Sequence, residues 1–488
     1  MHENVDVHGK PYNKALMIVI LMVGTFCTIL NQTILATAFP TLMKAFDVTT
    51  STVQWLSTGF MLVNGIMIPV SAWLSSRVRT KILYITAMTI FLAGTVTAFI
   101  APTFGVLLAG RLIQAVGVGV TMPLLQTIML SIFPPEKRGA SMGLAGLVIG
   151  LAPALGPTLS GYVIDHYDWR YLFGLIIPIV TLVVFSAFFF MKDVVKTHKS
   201  SVDVLSIILS TIGFGGLLYG FSSVGDSGWL STKVLVSIII GAIFVGLFAY
   251  RQLHMEEPFL ELRVFKIKDF TISTILASVV MMAMIGAEMV IPLYLQTVRG
   301  DSAFQSGLTL LAGAMMMGIM SPITGRVFDE HGAKHLALGG LILLTAGTIP
   351  FIFLTGDTPK IYIVVLYAVR MFGISMVMMP VTTSGMNALP MNLIGHGTAV
   401  NNTVRQVASS MGTAVLISVL SNVTKGAMPA EALKKSEPLE YARKAIDAIL
   451  SGYHATFLLA SIIAFVGVLI AFQLKDKRAQ KAIYGGAE

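Results

Sequence analysis

The chain has 488 residues, 55% of them hydrophobic and only 12% charged, with a mean hydropathy of +0.82. A soluble protein carries roughly 25% charged residues, so soluble domains of this total length have no polar exterior to draw on. The net charge of +9 is scattered through short segments, Cys27 is the one cysteine, and neither a G-x-x-x-x-G-K-[ST] loop nor an H-E-x-x-H pair occurs; nucleic-acid binding, a disulfide scaffold, a thiolate metal cluster and an ATP motor are all excluded.

Apolar stretches longer than about 18 residues read as bilayer-spanning helices. Fourteen are expected, at 15–38, 53–74, 82–100, 104–129, 139–163, 171–191, 204–223, 232–250, 271–297, 304–325, 335–354, 361–386, 398–421 and 452–474. The first exceeds a signal-peptide core and is expected to remain as a span. Fourteen spans put both ends on one side. With that side cytoplasmic, twenty Lys and Arg fall on cytoplasmic segments and ten on outer ones, and five of the ten lie in a single long outer loop, 422–451. The positive-inside rule therefore predicts cytoplasmic termini.

Nearly all acids fall in loops or at helix ends, but Glu288 lies well inside the ninth span. A charge at that depth costs at least ~2.5–3.5 kcal/mol and is functional by default. Arg111, Arg370 and Arg405 are the arginines within spans, and Arg405, near the start of its span, is expected to snorkel to the interface.

The spacing holds a repeat. Leu107–Arg111 recurs as Leu366–Arg370 at an offset of 259, Ala152–Gly156 recurs as Ala408–Gly412 at 256, and Asn31 precedes Glu288 by 257. Two six-helix halves with two helices between them are expected: 1–195, a linker of spans seven and eight at 196–262, and 263–488. Spans seven and eight are poor in polar residues and are expected to face lipid. The repeat sets Asn31, Glu288, Arg111 and Arg370 in one layer toward the outer side.

These motifs, in this order, resemble the major facilitator superfamily, specifically the fourteen-helix drug:proton antiporter branch of EmrB/QacA type, with the lincomycin-resistance pumps of Gram-positive bacteria as the nearest subgroup. Gly150-Leu-Ala-Pro-Ala-Leu-Gly156-Pro157-Thr-Leu-Ser-Gly161 resembles its antiporter motif. Leu107–Gly117, with Arg111 and Gln114, resembles the fourth-helix motif linked to proton coupling. Gly325-Arg-Val-Phe-Asp329-Glu-His-Gly332-Ala-Lys334 resembles the cytoplasmic gate motif; its first-half counterpart, Ala72 to Lys81 with Arg77, lacks the leading glycine and the acid. The acid that many relatives carry in the first helix is absent from Leu30-Asn31-Gln32-Thr33-Ile34.

The resemblance implies a proton-coupled multidrug antiporter in a bacterial plasma membrane, working by alternating access, with no cofactor beyond the proton gradient. Its partners would be amphipathic small molecules, protons and lipids, with the chain acting as a monomer. Glu288 is expected to carry the proton, aided by Arg111. Burial favours the neutral acid and a nearby cation favours the carboxylate, so a cationic or weakly basic substrate can displace the proton. Half of the 28 methionines fall between Met281 and Met391, and flexible thioethers suit a pocket that repacks around unlike ligands. Asn31, Gln32, Gln114, Met284, Tyr294, Gln296 and Arg370 are the candidate cavity residues. The rival readings are a dedicated exporter of one endogenous lipid, peptide or metabolite, and a non-transporting membrane sensor or scaffold.

Overall fold

The computed structural model describes residues 5–35, 37–197 and 203–475. Lipid offers no partner for backbone N–H and C=O groups, so spanning segments close their hydrogen bonds within helices. Among the described residues, fourteen helices are long and apolar enough to cross a membrane. They are α1 (Lys14–Thr33), α2 (Trp55–Arg77), α3 (Thr80–Phe99), α4 (Phe104–Ile132), α5 (Arg138–His166), α6 (Tyr171–Phe190), α7 (Val204–Ser227), α8 (Thr232–His254), α9 (Lys268–Thr297), α10 (Ala303–His331), α11 (Ala333–Thr348), α12 (Lys360–Asn387), α13 (Ile394–Ala427) and α14 (Pro438–Ala471).

Local chemistry sets many of their starts. Side chains of Asn13, Thr103, Asp203 and Ser231 accept the N–H three residues on, and Ser302 with Gln305 forms a capping box at α10. Such caps satisfy amide groups that the first turn leaves without partners.

Helices α1–α6 pack together, as do α9–α14, and the two groups meet chiefly along α5 against α10 and α2 against α13. The linker pair divides its duties. Helix α7 lodges against both α2 and α13, while α8 packs mainly on α7, with 17% of its span buried against 78% for α4. Lipid exposure was thus legible for α8, but α7 closes a groove between the halves.

The stretch 422–451 is not a long loop. Helix α13 continues to Ala427, a short helix covers Glu431–Ser436, and α14 already begins at Pro438. Pro at a helix start loses no hydrogen bond, and the Glu440–Lys444 pair, 2.7 Å apart at i,i+4, supports the first turns of α14 outside the apolar stretch. Hydropathy alone registers only where the apolar run stops, not where the helix does.

Candidate functional site

Two buried arginines stand in corresponding helices of the two halves. In α4, Arg111 donates to the carbonyl of Asn31 on α1 at 3.0 Å, to that of Leu56 on α2 at 3.3 Å and to Gln114 Oε1 at 3.0 Å. Its guanidinium lies over the Phe60 ring, 4.1 Å from the centroid. Gln114 donates in turn to Thr95 on α3. In α12, Arg370 donates to the Ala283 carbonyl of α9 at 3.1 Å and to Thr348 Oγ1 of α11 at 2.8 Å. Each arginine therefore ties its helix to the first helix of its own half. Long side chains reaching backbone carbonyls in this way satisfy part of a buried cation without an acid, while Arg111 Nη2 and Arg370 Nη1 have no partner among the described residues.

Glu288 lies within electrostatic range of Arg370 and Tyr367, so it is associated with the arginine of its own half and not with Arg111. Among the described residues its carboxyl group has no hydrogen-bond or ion-pair partner within reach. Met284, one turn away on α9, is buried. Asn31 is fully buried, and among the described residues its side-chain amide has no partner; Arg111 uses its backbone instead. Gln32 is half-buried and Gln296 exposed. Tyr294 is buried at the far end of α9, where its hydroxyl donates to the Thr355 carbonyl and its ring meets Tyr453 edge-on. That contact makes it a seam within the second half.

The antiporter-like motif has a direct structural reading. Proline has no N–H, so Pro157 leaves the carbonyl of Pro153, four residues earlier, without its helical donor. Thr33 of α1 supplies the replacement, donating from Oγ1 at 3.1 Å. Gly156 leaves the space that the Thr33 side chain fills. Gly150 faces Met317 and Gly161 faces Phe304, both on α10. The motif thus seals α5 against α1 on one side and α10 on the other.

The gate residues form a strut between the halves at the end of the bundle that carries the termini. Asp329, at the end of α10, accepts the N–H of Gly139 at 2.7 Å and of Ala140 at 2.8 Å, capping the start of α5. A carboxylate suits a helix N-terminus because the free amides and the helix dipole both attract it. Gly325 packs backbone to backbone on Gly139, and Gly332, at φ 82°, takes the left-handed turn between α10 and α11. Lys334 is half-buried at the start of α11. Arg77 is exposed at the end of α2, above the Trp73 ring.

Three features escaped the sequence reading. Arg138 bridges the halves, donating to Asn387 Oδ1 at 2.9 Å and to the Leu130 carbonyl at 2.9 Å. Asn402 of α13 donates to Gln126 of α4 at 2.7 Å. Arg405 does not snorkel: it is only 4% exposed and its guanidinium touches the sulfurs of Met281 and Met378. The polar run Asn401-Asn402-Thr403-Val-Arg405-Gln406 inside an apolar helix was the available signal. Helix α13 extends farther at both ends than the apolar run, which sets Arg405 eleven residues inside it.

Comparison with known proteins fits this geometry. The profile of the Major Facilitator Superfamily matches residues 21–413. The chain is 49% identical over 472 residues to the uncharacterized MFS-type transporter YcnB of Bacillus subtilis, covering 97% of each. It is 40% identical to the lincomycin resistance protein LmrB of Listeria monocytogenes, covering 94% of this chain and 96% of that one. It is 26% identical to the multidrug export protein EmrB of Escherichia coli, covering 83% and 80%. Among solved structures, the human organic anion transporter MFSD10 superposes with a TM-score of 0.63 at 14% identity, covering 94% of this chain and 99% of that one, a likeness of fold alone.

Proposed function

Since the chain belongs to the major facilitator superfamily, alongside its drug:proton antiporters, and is a multi-pass transporter of the bacterial plasma membrane, we propose that it exports amphipathic compounds in exchange for protons. The observation that carries this reading is Glu288: an acid deep in α9, held in electrostatic range of Arg370 and free of a hydrogen-bonded partner among the described residues. A structural carboxylate is normally locked by donors, whereas a carrier must gain and lose its proton as the site opens to each side. Binding of a basic cargo group favours release of the proton inward, and departure of the cargo outward lets Glu288 reload.

The positive-inside count sets the termini, and with them the Asp329 strut, on the cytoplasmic side. The two six-helix groups then rock about the seam of α5 on α10 and α2 on α13, and breaking the strut opens the inward path. One titratable carboxyl implies one proton per cycle. A monovalent cation then leaves with no net charge movement, while a neutral cargo draws on the membrane potential as well, at ~2.3 kcal/mol per charge per 100 mV.

The test uses inverted membrane vesicles with an acidified lumen and a pH-sensitive dye, challenged with lipophilic cations and lincosamides. Proton release by the wild type and none by Glu288→Gln is expected. Release that survives the substitution would take the proton away from Glu288, and no release with any compound would overturn antiport.

A further inference from the structure

Away from the helix ends, three buried arginines, Arg111, Arg370 and Arg405, stand against one carboxylate, the half-buried Glu288, among the described residues. Arg111 and Arg370 bond to backbone carbonyls and neighbouring side chains, and each leaves one nitrogen, Nη2 and Nη1 respectively, without a partner among the described residues. Arg405 is different. Its Nη2 meets only thioether sulfurs, at 3.8 Å from Met281 and 3.9 Å from Met378, and sulfur is a weak acceptor. Among the described residues, Nε and Nη1 have no acceptor at all.

One turn earlier on the same face of α13 stands Asn401, 1% exposed, whose Nδ2 likewise has no partner among the described residues. Three buried N–H donors thus cluster where α13 meets α9 and α12. A guanidinium left without acceptors in a low-dielectric interior is costly, and its fork matches a planar oxyanion in two parallel hydrogen bonds. The methionines beside it are flexible and move aside readily.

Resting on the export reading above, we propose that Arg405 and Asn401 form a recognition site for an oxyanion of the cargo, so that the transported compounds are amphipaths bearing a carboxylate. Arg405 touches Met281, which lies seven residues before Glu288 on α9, two helical turns or ~10 Å along its axis. Met281, Met284 and Glu288 form one stripe. A carboxylate seated at Arg405 therefore leaves the rest of the molecule to run along the methionines toward Glu288, where a basic group, if the cargo has one, meets the acid. This adds an oxyanion to the cationic or weakly basic group that Glu288 alone led us to expect.

The test is equilibrium binding to the full chain in nanodiscs, with no gradient, using dansyl-labelled undecanoate and its primary carboxamide as probes. The wild type is expected to prefer the carboxylate by about tenfold or more. Arg405→Gln removes that preference while leaving carboxamide affinity unchanged, Arg405→Lys keeps part of it, and Asn401→Leu reduces it. Equal affinity of the wild type for both probes overturns the site without any variant being needed. So does an equal loss of both probes in folded Arg405→Gln, which would make Arg405 a packing residue. Because no gradient is present, this outcome is independent of proton release in vesicles: a carboxylate preference without release rejects antiport alone, and release without a preference rejects the oxyanion site alone.

Discussion

Gly139 of α5 and Gly325 of α10 meet backbone to backbone across the two halves, each standing where a Cβ on the other would collide with its carbonyl oxygen. The contact lies beside the Asp329 cap, so the halves are joined there by a steric fit and by two charge-assisted hydrogen bonds at once. Alternating access requires this junction to part.

Gly139→Ala tests the fit. Alanine improves an isolated helix by about 1 kcal/mol over glycine, so any weakening comes from the collision. Overpacking a tight contact costs about 1–3 kcal/mol, and the closed population should fall by about tenfold for each 1.4 kcal/mol. Labelling of a cysteine placed at Ser141, from the side of the termini, should accelerate in the Gly139→Ala background. Unchanged labelling would show that α5 and α10 part by some other route.

Among the described residues the strut has no twin. Ser76 occupies the position corresponding to Asp329 in the first-half motif, and its hydroxyl turns back to the Trp73 carbonyl of its own helix. Across from it, α13 starts at Ile394 with no side-chain cap. Ser76→Asp should add a second strut and slow export severalfold while raising the melting temperature. A variant with faster export would refute the assignment of the strut as a lock.

Thr33 and Pro157 are predicted to be coupled. Thr33→Val removes the hydroxyl that serves the Pro153 carbonyl, costing about 1 kcal/mol. In a Pro157→Ala background the restored amide serves that carbonyl, so the same change should cost less. A double-mutant cycle on thermal unfolding checks this. Strict additivity would mean that the threonine contributes only through packing against Gly156.

Asp203 caps α7 and pairs with Arg251 of α8 at 3.0 Å. Partial burial pushes its carboxyl up, but hydrogen bonds from Arg251 and Ser206 outweigh it and hold the group below its ordinary value. A depressed carboxylate stabilises the fold above its unfolded pKa, and that contribution disappears as pH falls through the folded value, here in the range below about pH 4. Asp203→Ala should cost about 1 kcal/mol near neutrality and progressively less in acid. A cost independent of pH would exclude the ionised pair as its source.

The amino-acid sequence by itself determined the number of spans and their order, because lipid solvation demands a long apolar run for every crossing. It also singled out Glu288, since a lone acid in an apolar helix is costly enough to be conspicuous. Which arginine faces that acid was decided by tertiary structure: Arg111 and Arg370 have equivalent places in the repeat, and only packing sets Arg370 near α9's carboxyl group while Arg111 bonds to α1 and α2. The snorkelling expected of Arg405 failed for a related reason. Hydropathy locates a residue along a helix axis but not around it, and the rotation of α9 and α13 decides whether a side chain meets a neighbour's carbonyl, a methionine sulfur or the lipid. The meaning of Gly156-Pro157 was likewise invisible until α1 came into contact, because the donor that completes Pro153 stands 120 residues away in the chain.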